Sequence, residues 1–166
     1  LVLAGGMESM SQVPYYLSAA RWGAKYGNQP LLDGIQRDGL SDAYSQDAMG
    51  VFGELRADRY DISRSEQDAY AISSYQRSRD AWQNGKFRDE VFPVTIATRK
   101  GEQLVEVDEE FAQVDYERIA KLKPAFKEGG TITAANASTL SDGAAVLLLV
   151  SEEKMKALGW KPLAEI

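Results

Sequence analysis

Seven consecutive apolar residues, Ala144-Ala145-Val146-Leu147-Leu148-Leu149-Val150, constrain this chain more than any other stretch. The run is bounded by the turn residues Ser141-Asp142-Gly143 and by the polar Ser151-Glu152-Glu153. An amphipathic strand alternates and an amphipathic helix repeats near 3.6. An unbroken run of this length reads as a strand buried on both faces, as in α/β proteins. Such a strand needs neighbours. Leu1-Val2-Leu3-Ala4-Gly5-Gly6 offers the second signal of this kind, the last part of a buried strand, at the opposite end of the chain. The expected architecture is therefore an α/β core interrupted by a long subdomain.

The interruption has its own punctuation. Ser11 to about Ala48 is rich in Gly, Asn, Asp, Ser and Gln with no sustained period, and reads as loop. Met49, Phe52 and Leu55 are spaced by three, which predicts one face of a helix through about Asp58. Ser63-Arg64-Ser65-Glu66 has capping-box spacing and predicts a long helix. Ala71, Tyr75, Ser78 and Trp82 would share one face of it, and Asn84-Gly85 would end it. Val91-Phe92-Pro93-Val94-Thr95-Ile96 and Leu104-Val105-Glu106-Val107, joined by Arg99-Lys100-Gly101-Glu102, predict a hairpin. Ser151 caps a last helix in which Met155, Ala157 and Leu158 pack, and Gly159 stops it. Trp160 to Ile166 reads as the start of another strand. With apolar strands at both ends, the expectation is an internal segment of a longer protein that folds poorly by itself.

Among 166 residues there is no cysteine and no histidine, which excludes a thiolate nucleophile, a Ser-His-Asp triad and imidazole or thiolate metal ligation by this chain. Acid–base chemistry here would fall to carboxylates, Lys or Tyr. Lys plus Arg number 19 and Asp plus Glu 25, a net charge of −6, which argues against a nucleic-acid partner. No apolar run approaches the roughly 18 residues of a membrane span. Asp108-Glu109-Glu110 reads as solvated charge.

Three motifs in one order then carry a resemblance. They are Gly5-Gly6-Met7-Glu8-Ser9-Met10-Ser11, Ile62-Ser63-Arg64-Ser65-Glu66-Gln67-Asp68-Ala69-Tyr70-Ala71, and Thr133-Ala134-Ala135-Asn136-Ala137-Ser138-Thr139-Leu140-Ser141-Asp142-Gly143-Ala144-Ala145. Together they span nearly the whole chain and resemble the thiolase family. Ser73-Ser74-Tyr75-Gln76-Arg77-Ser78 and Lys86-Phe87 further resemble its acetyl-CoA acetyltransferase (acetoacetyl-CoA thiolase) branch.

The resemblance implies a thiolase-type α/β fold. Residues 1–11 would be a strand of the N-terminal α/β half, 12–127 an inserted α+β loop domain, 128–159 the return into that half, and 160–166 the start of the C-terminal half. It implies acyl transfer between CoA thioesters by reversible Claisen condensation or thiolysis. The family's catalytic cysteines and histidine fall outside the matched motifs, so the segment would supply coenzyme A binding and be inactive alone. The alternative is a non-catalytic CoA-binding or oligomerisation module.

By matched position, Ser138 resembles the serine bonded to the pantetheine arm. Met49, Leu122 and Phe126 resemble residues lining its tunnel, and Val114, Asp115 and Arg118 match the stretch at the nucleotide end. In the potassium-dependent branch, a tyrosine matching Tyr75, also near the CoA, and the carbonyls matching Ala134, Ala135 and Ala137 hold a potassium ion. No tightly bound cofactor is implied. The implied partners are acyl-CoA substrates, the remainder of a thiolase chain, and copies in a homodimer or homotetramer; the implied location is cytoplasmic. The residues alone leave plainer readings open. Ser138 serves equally as a turn cap, Met49, Leu122, Phe126 and Tyr75 as core, and Asp115 with Arg118 as a surface pair. The chain departs from the family at Ala48, at Val51-Phe52-Gly53-Glu54, at Gln113 and at Ser141.

Overall fold

The computed structural model describes residues 1–166 and divides them into two units, Leu1–Leu40 with Thr139–Ile166, and Ser41–Ser138.

In the first unit, strand β1 (Val2–Glu8) pairs antiparallel with β6 (Gly143–Leu149), in a register running from Val2 opposite Leu149 to Glu8 opposite Gly143. Gly5 permits this pairing: a Cβ there would lie 2.8 Å from the carbonyl oxygen of Ala145. Beyond the ladder, the Asp142 carboxylate accepts from the Ser11 amide at 2.9 Å and from its hydroxyl at 2.6 Å. These bonds hold the Asp142 carboxyl below its usual range. The stretch expected as loop is mostly irregular and contains a two-residue pair, β2 (Tyr15–Tyr16) and β3 (Leu32–Asp33). Helix α5 (Glu152–Leu158) begins on the Ser151 hydroxyl and ends on Gly159 with φ +66°.

Four expectations fail in this unit. The apolar run of β6 forms a strand, but every residue of it is exposed, Leu147 at 66%. β1 is open except at half-buried Ala4, because a two-stranded ladder covers neither of its faces. Trp160 to Ile166 forms no strand, since no ladder partner lies beside it. In α5 only Met155 is half-buried; Ala157 and Leu158 are exposed.

The second unit carries the two long helices, α1 (Met49–Tyr60) and α2 (Arg64–Gln83). Ser63 and Glu66 form the expected capping box, with the Ser63 hydroxyl accepting from the Glu66 amide and the Glu66 carboxylate accepting from the Ser63 amide. Trp82 near the end of α2 meets Phe87 at 5.4 Å and Phe111 at 6.2 Å between ring centroids. The hairpin joins β4 (Val94–Thr98) to β5 (Gly101–Val105). It starts later than expected, because Pro93 has no N–H to offer a ladder. Two short helices, α3 (Glu110–Gln113) and α4 (Tyr116–Ile119), precede the irregular chain that runs to Ser138.

Candidate functional site

The expected apolar face of α1 is not the one that packs. Met49 and Leu55 are exposed, at 43% and 56%, whereas Glu54 and Ala57 are buried. Gly50, Gly53, Glu54 and Ala57 follow i, i+3, i+4, i+7 spacing, so they form one stripe. The stripe is narrow in side chain and lets other groups come down onto the helix. A Cβ on Gly50 would overlap the Phe126 ring, and one on Gly53 would overlap Ile132. The chain from Ala125 to Ile132 closes on itself, the Ala125 amide donating to the Ile132 carbonyl at 2.9 Å.

Glu54 fills the stripe with a carboxylate that is 2% exposed. Oε1 accepts from the amides of Thr131 and Ile132, both at 2.8 Å, and Oε2 accepts from the Thr131 amide and hydroxyl, both at 2.9 Å. Burial pushes its pKa up. The amides of Ile132 and Thr131, the Thr131 hydroxyl and the charge of Lys127 outweigh this and hold it below 4.5. A buried carboxylate is tolerated when its charged form is this fully bonded. Gly130 completes the fit, because a Cβ there would overlap Glu54.

Helix α2 grips the same loop from its N-terminal turns. Arg64 Nε donates to Asp68 Oδ2 at 2.8 Å, and Arg64 Nη2 donates to the Ile119 carbonyl at 2.9 Å, tying α4 to α2. The other Asp68 oxygen accepts from Asn136 Nδ2 at 2.9 Å. Asn136 also donates to the Thr131 carbonyl at 3.1 Å and accepts from the Thr133 amide at 2.7 Å. Gln67 donates to the Thr131 hydroxyl at 2.9 Å. The loop Gly130–Ser138 is thereby bonded at Thr131, Ile132, Thr133 and Asn136, and Thr133 is fully buried.

The site residues expected from sequence all lie in the Ser41–Ser138 unit. Ser138 is exposed at the end of the bonded loop. Phe126 lies on Gly50, next in sequence to Met49; Phe126 is exposed at 41% and Leu122 is half-buried. Tyr75 meets one of its expected companions, its hydroxyl donating to the Ala135 carbonyl at 3.3 Å. Burial, then the charge of Glu110 and the nearby Tyr116, push the Tyr75 pKa up, so its hydroxyl keeps its proton. The Tyr116 hydroxyl is buried without a hydrogen-bond partner. Oxygens of this kind suit a hard cation.

Val114 is half-buried, and Asp115, just before α4, and Arg118, within it, are exposed. Asp115 and Arg118 form no ion pair; Asp115 instead accepts from the Glu117 amide at 3.1 Å and caps α4. The sequence does not single out Arg64, Gln67, Asp68 and Asn136 as a set, nor Glu54 as a site residue. The i, i+4 spacing of Arg64 and Asp68 was a usable signal for one pair. A lone Glu inside an amphipathic helix gives none.

Comparison with known proteins matches this chain to a family. The family description "Thiolase, N-terminal domain" covers residues 1–153. A probable acetyl-CoA acetyltransferase of Dictyostelium discoideum is 54% identical over 99% of this chain and 40% of its own length. A mitochondrial acetyl-CoA acetyltransferase of Mus musculus is 51% identical over 100% of this chain and 39% of its own. The solved acetyl-CoA acetyltransferase of Syntrophomonas wolfei superposes with TM-score 0.84 at 40% identity, over 97% of this chain and 41% of that one. The Acat5 thiolase of Ascaris suum, solved in complex with coenzyme A, superposes with TM-score 0.83 at 40% identity, over 97% and 41%. The chain thus spans well under half the length of these relatives, and it belongs to the thiolase family as part of the thiolase N-terminal domain.

Proposed function

We propose that this segment serves a thiolase that transfers an acyl group between CoA thioesters, and that its share of the work is binding the coenzyme. In thiolysis the C2–C3 bond of a 3-oxoacyl-CoA breaks, the acyl group passes to the sulfur of a second CoA, and C2 takes the thiol proton. The chain holds neither cysteine nor histidine, so nucleophile and proton carrier come from other parts of the complete polypeptide. The observation that carries the reading is the loop Gly130–Ser138, bonded along its length yet ending on an exposed serine. A flexible pantetheine arm is recognised by a few fixed polar groups beside apolar surface.

On this reading Ser138 bonds the pantetheine arm, Met49, Leu122 and Phe126 line its path, and Val114, Asp115 and Arg118 meet the nucleotide end. Tyr75 and the carbonyls of Ala134, Ala135 and Ala137 hold a potassium ion close to the coenzyme. The close approach of Tyr75 to the Ala135 carbonyl and the unpartnered Tyr116 hydroxyl favour this. The exposed apolar strands β1 and β6 accept the remainder of the polypeptide, and the assembly is a homodimer or homotetramer in the cytoplasm.

Titration of the complete polypeptide with coenzyme A, paired with a thiolysis assay on acetoacetyl-CoA, tests the reading. Ser138→Ala should raise KM about three- to tenfold, the loss of one neutral hydrogen bond. Coenzyme binding without thiolysis would favour the non-catalytic binding module instead.

A further inference from the structure

We propose that Glu54 is a positioning residue for coenzyme binding: from inside α1 it sets the loop Gly130–Ser138 in the shape that presents Ser138 to a CoA ester. The inference rests on the proposed function for its ligand, and on hydrogen-bond geometry for everything else.

Four observations converge. The carboxylate makes bonds to two successive backbone amides and one hydroxyl of the loop, and to nothing else. It is 2% exposed, so solvent cannot replace those bonds. The positions around it lack side chains where side chains would block the approach, at Gly53 on the helix and at Gly130 on the loop. The Thr131 it holds is also bonded by Gln67 and, through its carbonyl, by Asn136, so a displacement at Thr131 reaches Asn136 and with it the turn before Ser138.

Glu54 bonds to no expected coenzyme residue directly. A helix interior stabilised only by packing would use an apolar residue here, and replacing a buried charge by one is often neutral or favourable when no partner is left unpaired. A carboxylate is suited to fixing two adjacent N–H vectors at once, because its two oxygens accept in one plane.

The test uses the complete polypeptide carrying Glu54→Gln, with Thr131→Val as the second variant. Gln keeps size and one acceptor but turns an NH2 toward donors. Val keeps both amide bonds and removes the hydroxyl. Two readouts are needed. Hydrogen exchange should speed up at residues 131 and 132 in E54Q by about tenfold or more, and less in T131V. KM for coenzyme A should rise about tenfold in E54Q and about threefold in T131V, with kcat within about twofold of wild type. If exchange at residues 131 and 132 is unchanged in E54Q, the positioning role is overturned whatever the kinetics do. Faster exchange with KM unmoved, or a loss confined to kcat, overturns the link to coenzyme binding. If E54Q does not fold, T131V decides by the same two readouts. A wild-type protein that neither binds coenzyme A nor performs thiolysis removes the proposed function and this role with it, while the exchange result still reports on the loop alone.

Discussion

The two units of this chain keep their shapes by opposite means. In Ser41–Ser138 the buried residues are Ala57, Ala71, Ile119, Glu54, Asp68 and Thr133, so half of them are polar. In the unit containing β1 and β6 the only buried residue is Gly34, although its two longest strands are the most apolar stretches of the sequence. Apolar side chains stabilise by leaving water, about 25 cal/mol for each Å² removed. Those of β1 and β6 remain in water and contribute little beyond their ladder. The hydrogen bonds around Glu54 and Asp68 are satisfied inside, where leaving any one of them unpaired is costly. Specific polar bonding, not bulk apolarity, therefore holds the candidate site.

This contrast can be broken from its strongest point downward. Glu54→Ala should cost about 3 kcal/mol, since it strands the amides of Thr131 and Ile132 and opens a void under them. Denaturant unfolding followed by helix circular dichroism reads this, and a cost below about 1 kcal/mol would remove the polar network from its leading place. Asn136→Ala should cost about 2 kcal/mol, because Asp68 and the Thr133 amide both lose a partner. Ser63→Ala should cost about 1 kcal/mol through the capping box alone, a local effect on α2. Leu147→Ala on β6 should cost under about 0.5 kcal/mol in this chain, as for an exposed position, and about 2–3 kcal/mol or more in a complete polypeptide that covers the strand. Equal small losses in both would leave the strand uncovered in either.

Acid weighs on both units, through Asp142 in the first and through three carboxylates held low in Ser41–Ser138. Glu54 has its folded pKa below the ordinary 4.5, so its stabilisation is complete above that pH and is lost as pH falls through the folded value. Glu66, held low by Ser63, and Asp42, held low by the amides of Ser45 and Tyr44, act in the same direction in the same unit. Stability of this unit should therefore fall below about pH 4.5, and E54Q should flatten part of that fall. An acid limb of equal slope in wild type and E54Q would show that Glu54 is not linked to folding.

Much of the secondary structure was legible because it is locally encoded. Ser63 and Glu66, Ser151 and Gly159, and the hairpin around Arg99-Lys100 each act within a few residues; the caps appear where the spacing predicts, and the hairpin forms with shifted strand ends. The family motifs were legible for the same reason, as were Ser138 and Tyr75 as candidates. The working face of α1 was misread. Met49, Phe52 and Leu55 present the apolar period, but contact is decided by what comes down on the helix, and Phe126 and Ile132 settle on glycines. Asp115 and Arg118 had ion-pair spacing, yet the nearer Glu117 amide takes the carboxylate.

By itself the sequence determined the two long helices and their caps, the hairpin, the two apolar strands, the absence of thiol and imidazole chemistry, and the family. These follow from residue identity and from interactions spanning a few positions. Only the tertiary structure decided that Glu54, Asp68 and Asn136, far apart in the chain, meet on one loop, and that the apolar strands remain open. A buried carboxylate is stable only where distant amides converge on it, and a strand is buried only where another layer lies over it. Neither condition is written in the residues that depend on it.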